Sequence, residues 1–323
     1  MRNVIAMTSG SLGIDFALTE NTDVQAIAVF SSPPKILMTF GLADAMCRLS
    51  SVLVTAGMFV SFGDTDPTWS PKLQNTVITV EDQIRDEPFR WHPEYTPWMN
   101  DGERQVIFAY LLVSMSRFIV LHEIGHIGYA HSHGPSGTSP RLAALIDGQA
   151  TNEADRRAAI ISQAKEIAAD GFAFNTHLCL QAHELGVADL DPMRKLLTEK
   201  LIGTPRLRLR WTLLSAYFVF QLLDRRNWNL ETATLATHPP APFRLKCLYA
   251  AALELKHPDL PESEIIEEVS GARTFGSAVF DVGLKRFPDL FWIDQVADEA
   301  FDAIFMEIYA ELHNWTVWGG KKP

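Results

Sequence analysis

Apolar residues along the chain fall into long runs in its middle and shorter runs near its start. Glu103 to Ala130 is apolar on most sides and predicts one long buried helix. Two further stretches, 152–184 and Trp211–Leu223, predict helices of the same core. Proline is favoured in the first turn of a helix. Three prolines therefore predict further helix starts: Pro192, Pro205 and Pro242.

The first hundred residues have a more mixed pattern. Short apolar runs such as Ala26–Phe30 predict strands that end before Pro33-Pro34, and residues 35–60 predict a helix. Residues 63–102 are rich in proline, tryptophan and aspartate. They predict a long irregular connection with one strand-like run, Thr76–Val80.

The pattern as a whole predicts a mainly α (α+β) protein, with a helical core and a small strand component near the N-terminus. The glycine-, serine- and proline-rich segment 131–141 predicts a loop that could cover a cleft. Three regions are expected: 1–102, a strand, helix and long-loop region packed on the core; 103–260, the core; and 261–323, a C-terminal helical region.

Charge and cysteine content narrow the class of protein. The 323 residues carry 28 basic and 39 acidic side chains, a formal net charge of −11, which argues against nucleic-acid binding. Three widely spaced cysteines, Cys47, Cys179 and Cys247, predict a reducing, cytoplasmic setting. No integral membrane span is expected, because no apolar run reaches about 18 uninterrupted residues. The sequence leaves the oligomeric state open.

The HExxH motif at residues 122–126 is the most informative feature of the chain. On a helix, His122 and His126 lie on one face about one turn apart, so both imidazoles can hold one zinc ion. Glu123 then projects beside the open coordination position, where it can act as general base on a water molecule. The motif predicts a metal site that needs a third protein ligand.

Glu166 is the strongest candidate for the third ligand. Glu166 and Asp170 form one acidic stripe on an otherwise apolar stretch that continues through Ile167 and Phe172. Two inward-facing carboxylates are unfavourable unless a positive charge neutralises them. A zinc ion held by two histidines would do so, with Asp170 accepting a ring N–H from one of them.

The other possible third ligand is local. His131 and His133 follow the motif closely. The metzincin pattern HExxHxxGxxH would require glycine at 129 and histidine at 132, where this chain has Tyr129 and Ser132. A histidine-rich loop end near the metal or in solvent therefore explains His131 and His133 better than ligation does.

The motifs resemble those of a known group of enzymes. HExxH followed by ExxAD on a later helix looks like the gluzincin zinc metallopeptidases. The element Thr237-His238-Pro239, with Arg244 after it, resembles the "THP…R" element of the HtpX and CAAX-prenyl-protease family. The resemblance covers roughly residues 105–250, but the chain lacks that family's clear membrane-spanning helices. ImmA/IrrE-like peptidases also resemble its ExxAD segment, and phage-exclusion peptidases of the Lit type are a further possible relative.

The resemblance implies a zinc metalloendopeptidase that acts on a peptide or protein. His122, His126 and Glu166 would hold Zn²⁺, and Glu123 would be the base. His238 would donate a hydrogen bond to the oxyanion or orient the site. Tyr129 is a second oxyanion candidate, although a packed aromatic residue explains it better. Arg244 would pair with Asp170 or hold the backbone of the substrate.

Two other functions stay open at this stage. One is a regulatory or stress-response protein whose metal site senses or cleaves one dedicated partner. The other is a helical binding protein without a metal. Zinc content separates the second from an enzyme, and cleavage of general substrates such as casein argues against the first.

Overall fold

A computed structural model of the chain describes residues 13–55, 96–131, 153–186, 192–223, 230–255, 259–278, 296 and 299–316. The protein is mainly helical with one small sheet, which confirms the predicted fold class. The strands are β1 (Asp15–Thr19), β2 (Ala26–Val29) and β3 (Lys35–Thr39). The α-helices are α1 (Phe40–Thr55), α2 (Gly102–Gly128), α3 (Glu153–Glu184), α4 (Pro192–Ile202), α5 (Pro205–Leu223), α6 (Leu230–Leu235), α7 (Ala241–Leu253), α8 (Glu262–Ala278) and α9 (Glu299–Leu312).

The sheet has the order β1-β3-β2, with β3 parallel to β1 and antiparallel to β2. The prediction that residues 35–60 are helical is wrong at its start, because β3 occupies 35–39 before α1 begins at Phe40. A short continuous apolar run does not distinguish a buried strand from a buried helix. Ile36 and Met38 are 0 % and 2 % exposed, as expected of the central strand.

Helix α2 is the centre of the molecule. Asp101 caps its N-terminus by accepting hydrogen bonds from the backbone N–H groups of Glu103 and Arg104. Every residue from Ser114 to Gly128 is buried, and α1, α3, α5 and β2 pack around the helix. Burial on all sides explains why its sequence is apolar all round rather than on one stripe.

The apolar composition of α2 also meets the length and hydropathy requirements of a membrane span. Among the described residues it is the one helix that does, and 78 % of the relevant window is buried inside the protein. The central helix of a large helical core has the same composition.

Helix α9 packs on the N-terminal half of α3 and forms a second apolar cluster there. Phe301, Ile304 and Ile308 of α9 are buried in it. Two ion pairs, Arg156–Glu307 and Arg157–Glu311, join the same two helices. These contacts hold the C-terminal part of the chain against the helix that carries Glu166.

The helices predicted at 103–130, 152–184 and from Pro192 and Pro205 are all present within a residue or two. The helix predicted from Pro242 begins at Ala241. The strand-like run Thr76–Val80 and nearly all of the loop 131–141 lie outside the described residues, as does most of the connection 63–102.

Candidate metal centre

The C-terminal half of α2 presents the HExxH side chains to a pocket. His122, Glu123 and His126 are 8 %, 7 % and 4 % exposed, and all three line the pocket. The Nε2 atoms of His122 and His126 are 3.1 Å apart. The spacing of one helical turn therefore brings both imidazoles to one point, as the sequence predicts.

Glu166 reaches the same point from α3. Its Oε2 lies 3.4 Å from Nε2 of His122, and its Oε1 lies 3.3 Å from Nε2 of His126. Ligand atoms around a tetrahedral zinc ion, at bonds of about 2.0–2.1 Å, stand roughly 3.3 Å from one another. The three buried side chains therefore form a group that could hold a metal ion.

Burial raises the pKa of Glu166, but the charges of His238 and His126 and hydrogen bonds from the HExxH histidines outweigh it and hold the pKa well below its usual range. Burial lowers the pKa of His122, but Asp170 and Glu166 outweigh it and raise the pKa to about 10. The field of the two carboxylates thus favours a positive charge at this point. A bound cation would supply it.

Asp170 lies behind His122, on the side away from Glu166. Its Oδ1 is 2.9 Å from Nδ1 of His122, and its carboxylate accepts two hydrogen bonds of 2.7 Å from the guanidinium of Arg244. The guanidinium also lies over the ring of Phe220, 4.6 Å from its centre. A hydrogen on Nδ1 of His122 leaves its Nε2 free to bind a metal.

His238 is on the pocket wall, beside Glu166. Its Nε2 is 3.5 Å from Oε1 of Glu166, its Nδ1 is 3.2 Å from the hydroxyl of Thr237, and its side chain is 43 % exposed. Pro239 and Pro240 interrupt the helical structure between α6 and α7, and this turn directs His238 toward the pocket. The imidazole of His238 is thus close to the group formed by His122, His126 and Glu166, and it is open to a ligand.

The pocket has a volume of about 340 Å³ and lies between the sheet and the helices. Its apolar wall comes from α2 and α5, and includes Phe118, Val219, Phe220 and Leu223. The opposite wall is β2 with the residue before it, Gln25 to Ala28. His122, His126 and Glu166 lie in the polar part of this cleft.

His131 is buried beside His126. Its Nδ1 is 3.1 Å from Nδ1 of His126, and its Nε2 is 2.6 Å from the carbonyl oxygen of Trp315. It is fully buried, and this burial lowers its pKa to about 3. It therefore contacts Nδ1 of His126 rather than the point where the two Nε2 atoms meet, which agrees with the expectation of a histidine near the metal site rather than a ligand. His133 lies outside the described residues.

Tyr129 packs as an aromatic residue. Its ring lies edge-on to Phe172 at 5.8 Å between centres, and 5.4 Å from the ring of His131. It is not among the residues that line the pocket. The packing role therefore describes it better than the oxyanion role.

Comparison of the chain with models of protein families, with curated proteins and with solved structures gave no match. The functional argument therefore depends on the site itself. Its components are a buried group of two imidazoles and a carboxylate, a neighbouring glutamate, and an open cleft.

Proposed function

We propose that the protein is a zinc metallopeptidase in which His122, His126 and Glu166 hold the metal. The observation that carries the proposal is the convergence of the two Nε2 atoms and the carboxylate oxygens of Glu166 at 3.1–3.4 Å beside Glu123, at the wall of an open pocket. Two imidazoles and one carboxylate form a donor set that zinc takes in hydrolases. When bound, zinc supplies an activated water and polarises the carbonyl group that is attacked.

Glu123 is proposed as the proton carrier. It follows His122 in the helix, so its carboxylate projects from the helix about 100° further round, toward the pocket. A carboxylate there takes the proton of the attacking water and delivers it to the nitrogen of the leaving amine. Glutamine at this position retains the shape but cannot accept the proton.

His238 and Arg244 have different proposed roles. His238 is open to the pocket and donates a hydrogen bond to the oxygen that becomes negative during the attack. Arg244 donates from Nε and Nη2 to the two carboxylate oxygens of Asp170, so it holds Asp170 and thereby His122. This contact favours the role of Arg244 as a partner of Asp170 over the role of holding the substrate backbone. Other groups would then hold the substrate backbone.

The cleft suits an extended peptide. Thr39 donates its backbone N–H to the carbonyl of Gln25. Backbone groups alternate in direction along an antiparallel ladder, so those of Gln25 and Ile27 point toward β3. The backbone groups of Ala26 and Ala28 point away from β3. Within the described residues no strand pairs with that side of β2. A peptide laid along it gains backbone hydrogen bonds, as in other cases of strand addition. The apolar wall of α5 then receives a side chain of the peptide.

The experiment combines metal analysis with hydrolysis. Protein purified without chelator is expected to contain about one zinc per chain and to cleave peptides from a mixed library, with the cut sites read by mass spectrometry. Glu123→Gln should keep the zinc and lose hydrolysis by several orders of magnitude. Glu103→Gln, at the partly exposed start of the same helix, is the matched control and should behave as wild type.

Three results would argue against the proposal. Protein without zinc that also fails to bind added zinc would favour the metal-free binding protein. Stoichiometric zinc without cleavage of any library peptide would favour a site dedicated to one partner. Activity of Glu123→Gln within tenfold of wild type would show that Glu123 is not the base.

A further inference from the structure

We propose that His131 is a positioning residue for His126. The C-terminal segment, residues 299–316, then becomes part of the metal centre, because the carbonyl oxygen of Trp315 holds His131. The inference rests on the metal site proposed above. It does not require that the protein hydrolyse peptides. Its test is read first on the metal-free protein, so it can fail or succeed separately from the proposed function.

The hydrogen-bond chain has only one arrangement compatible with metal binding. A carbonyl oxygen accepts and cannot donate, so Nε2 of His131, 2.6 Å from the oxygen of Trp315, carries a hydrogen. In the neutral ring Nδ1 of His131 is then an acceptor. Nδ1 of His126, 3.1 Å away, donates to it, which leaves Nε2 of His126 with the lone pair that a metal needs.

The two metal-site histidines thus have different supports. Nδ1 of His122 contacts the carboxylate of Asp170, whereas Nδ1 of His126 contacts the buried imidazole of His131. Without its partner, the His126 ring could turn over or place its hydrogen on Nε2. Either change removes a ligand from the group. Partners of this kind typically contribute about 10–100-fold to metal affinity.

The end of α2 is shaped to return His131 to this position. The backbone N–H of His131 donates to the carbonyl of His126 at 2.9 Å, and that of Ala130 donates to the carbonyl of Ile127 at 3.1 Å. This pair of bonds is a Schellman motif, and it requires a left-handed residue at position 130. Ala130 has φ of 53°, in a position where glycine is usual. The chain adopts an unfavourable conformation here, and the result is that the imidazole of His131 folds back onto His126.

The other end of the chain of hydrogen bonds is anchored by α9. The apolar cluster of α9 and its ion pairs to α3 fix the segment that leads to Trp315. The ammonium of Lys165, next to Glu166 in α3, lies 4.4 Å from the centre of the Trp315 ring. Lys165 therefore fixes this residue against the same helix that carries the third ligand, so displacement of the C-terminal segment is expected to loosen His126.

The test uses the full chain with ¹⁵N-labelled histidine and the metal removed. A long-range ¹H–¹⁵N spectrum of the imidazoles, assigned with the help of His126→Ala, is expected to show His126 with its hydrogen on Nδ1. Free imidazole side chains favour the tautomer with the hydrogen on Nε2. A hydrogen on Nδ1 of His126 would therefore come from the surroundings of the ring, and the wild-type protein is sufficient to show it. A hydrogen on Nε2 of His126 in the metal-free wild type would overturn the proposal.

A matched pair of variants tests the same point on metal affinity. His131→Leu removes both hydrogen bonds at similar volume, and it should weaken zinc binding by about 10–100-fold in a competition with a chelator. His131→Gln offers a carbonyl oxygen and an N–H on one side chain, and it should recover affinity to within about threefold of wild type. A merely structural His131 would not show this recovery. Equal affinity of the leucine variant and wild type would overturn the proposal, and so would an equal loss in both variants. If the leucine variant does not fold, the tautomer measured in the wild type still decides the question.

Discussion

Gly125 lies directly against Ala169, where α2 packs on α3 beside His122, His126 and Glu166. A Cβ atom on Gly125 would stand 3.1 Å from the Cα of Ala169 and 3.3 Å from its carbonyl oxygen. Gly125 is inside the HExxH motif, and Ala169 lies between Glu166 and Asp170. The absence of a side chain at Gly125 therefore sets the distance at which α3 presents its carboxylates to the two histidines.

Enlarging Gly125 should separate the ligands. Gly125→Ala requires α3 to move by a few tenths of an ångström, and Gly125→Val requires more, so zinc affinity should fall in the order glycine, alanine, valine. The valine variant should also lose about 1–3 kcal/mol of stability, as is usual for overpacking. Chelator competition and thermal unfolding measure the two effects.

Gly171→Ala is the matched control, since Gly171 lies on the same helix α3 and a Cβ there meets nothing within 4 Å. It should leave zinc affinity unchanged and stabilise the helix by roughly 0.5–1 kcal/mol. Similar zinc affinities in the Gly125 and Gly171 variants would contradict the spacing argument.

Glu166 and Asp170 should differ in their effect on the metal. Glu166→Ala removes a ligand atom and should abolish most zinc binding, whereas Asp170→Asn retains an acceptor for His122 and should weaken binding by about 10–100-fold. Asp170→Asn also removes the carboxylate that accepts both 2.7 Å hydrogen bonds of the buried Arg244 guanidinium, with Glu166 Oε2 remaining at 3.6 Å, so the free energy of unfolding should fall by about 3–5 kcal/mol. Isothermal titration with zinc and denaturant unfolding give the two quantities. Full zinc affinity in Glu166→Ala would exclude it as the third ligand.

Much of the site could be predicted because its information is local. The spacing of His122 and His126 and the acidic stripe of Glu166 and Asp170 follow from helix periodicity. The unusual apolarity of α2 likewise predicts its central, buried place. Only tertiary packing brings the two helices together, but the uncompensated carboxylates within an apolar stretch indicate that a cation is expected there.

The rest could not be predicted because its partners are remote or its local pattern is ambiguous. His131 is visible in the sequence, but its partner Trp315 is 184 positions away and contributes a backbone carbonyl, which no residue pattern encodes. The sequence leaves two roles open for Arg244, because only the fold places Asp170 between Arg244 and His122. The sequence predicts helix where β3 lies because a short apolar run such as Ile36–Met38 fits both a helix and a strand.

The edge of β2 that faces away from β3 should bind the substrate. Ala28→Pro removes an N–H that points away from β3, so the sheet should persist while a bound peptide loses one hydrogen bond. KM should rise about tenfold, with zinc content and kcat little changed, in a steady-state assay on a peptide from the library. Ala28→Ser keeps the N–H and is the control. A proline variant with unchanged KM would show that peptides bind elsewhere in the cleft.

Ala130 should report the strain at the end of α2. Left-handed backbone disfavours any residue with a Cβ by about 1–2 kcal/mol, so Ala130→Gly should stabilise the protein by roughly 0.5–1 kcal/mol after the greater freedom of glycine in the unfolded chain is subtracted. The same substitution at Ala158, exposed on α3, should destabilise by about 1 kcal/mol, because there the backbone is helical. Denaturant unfolding of the two variants should therefore give changes of opposite sign. Destabilisation by both would mean that the left-handed turn imposes no strain on Ala130, and that the return of His131 toward His126 needs another explanation.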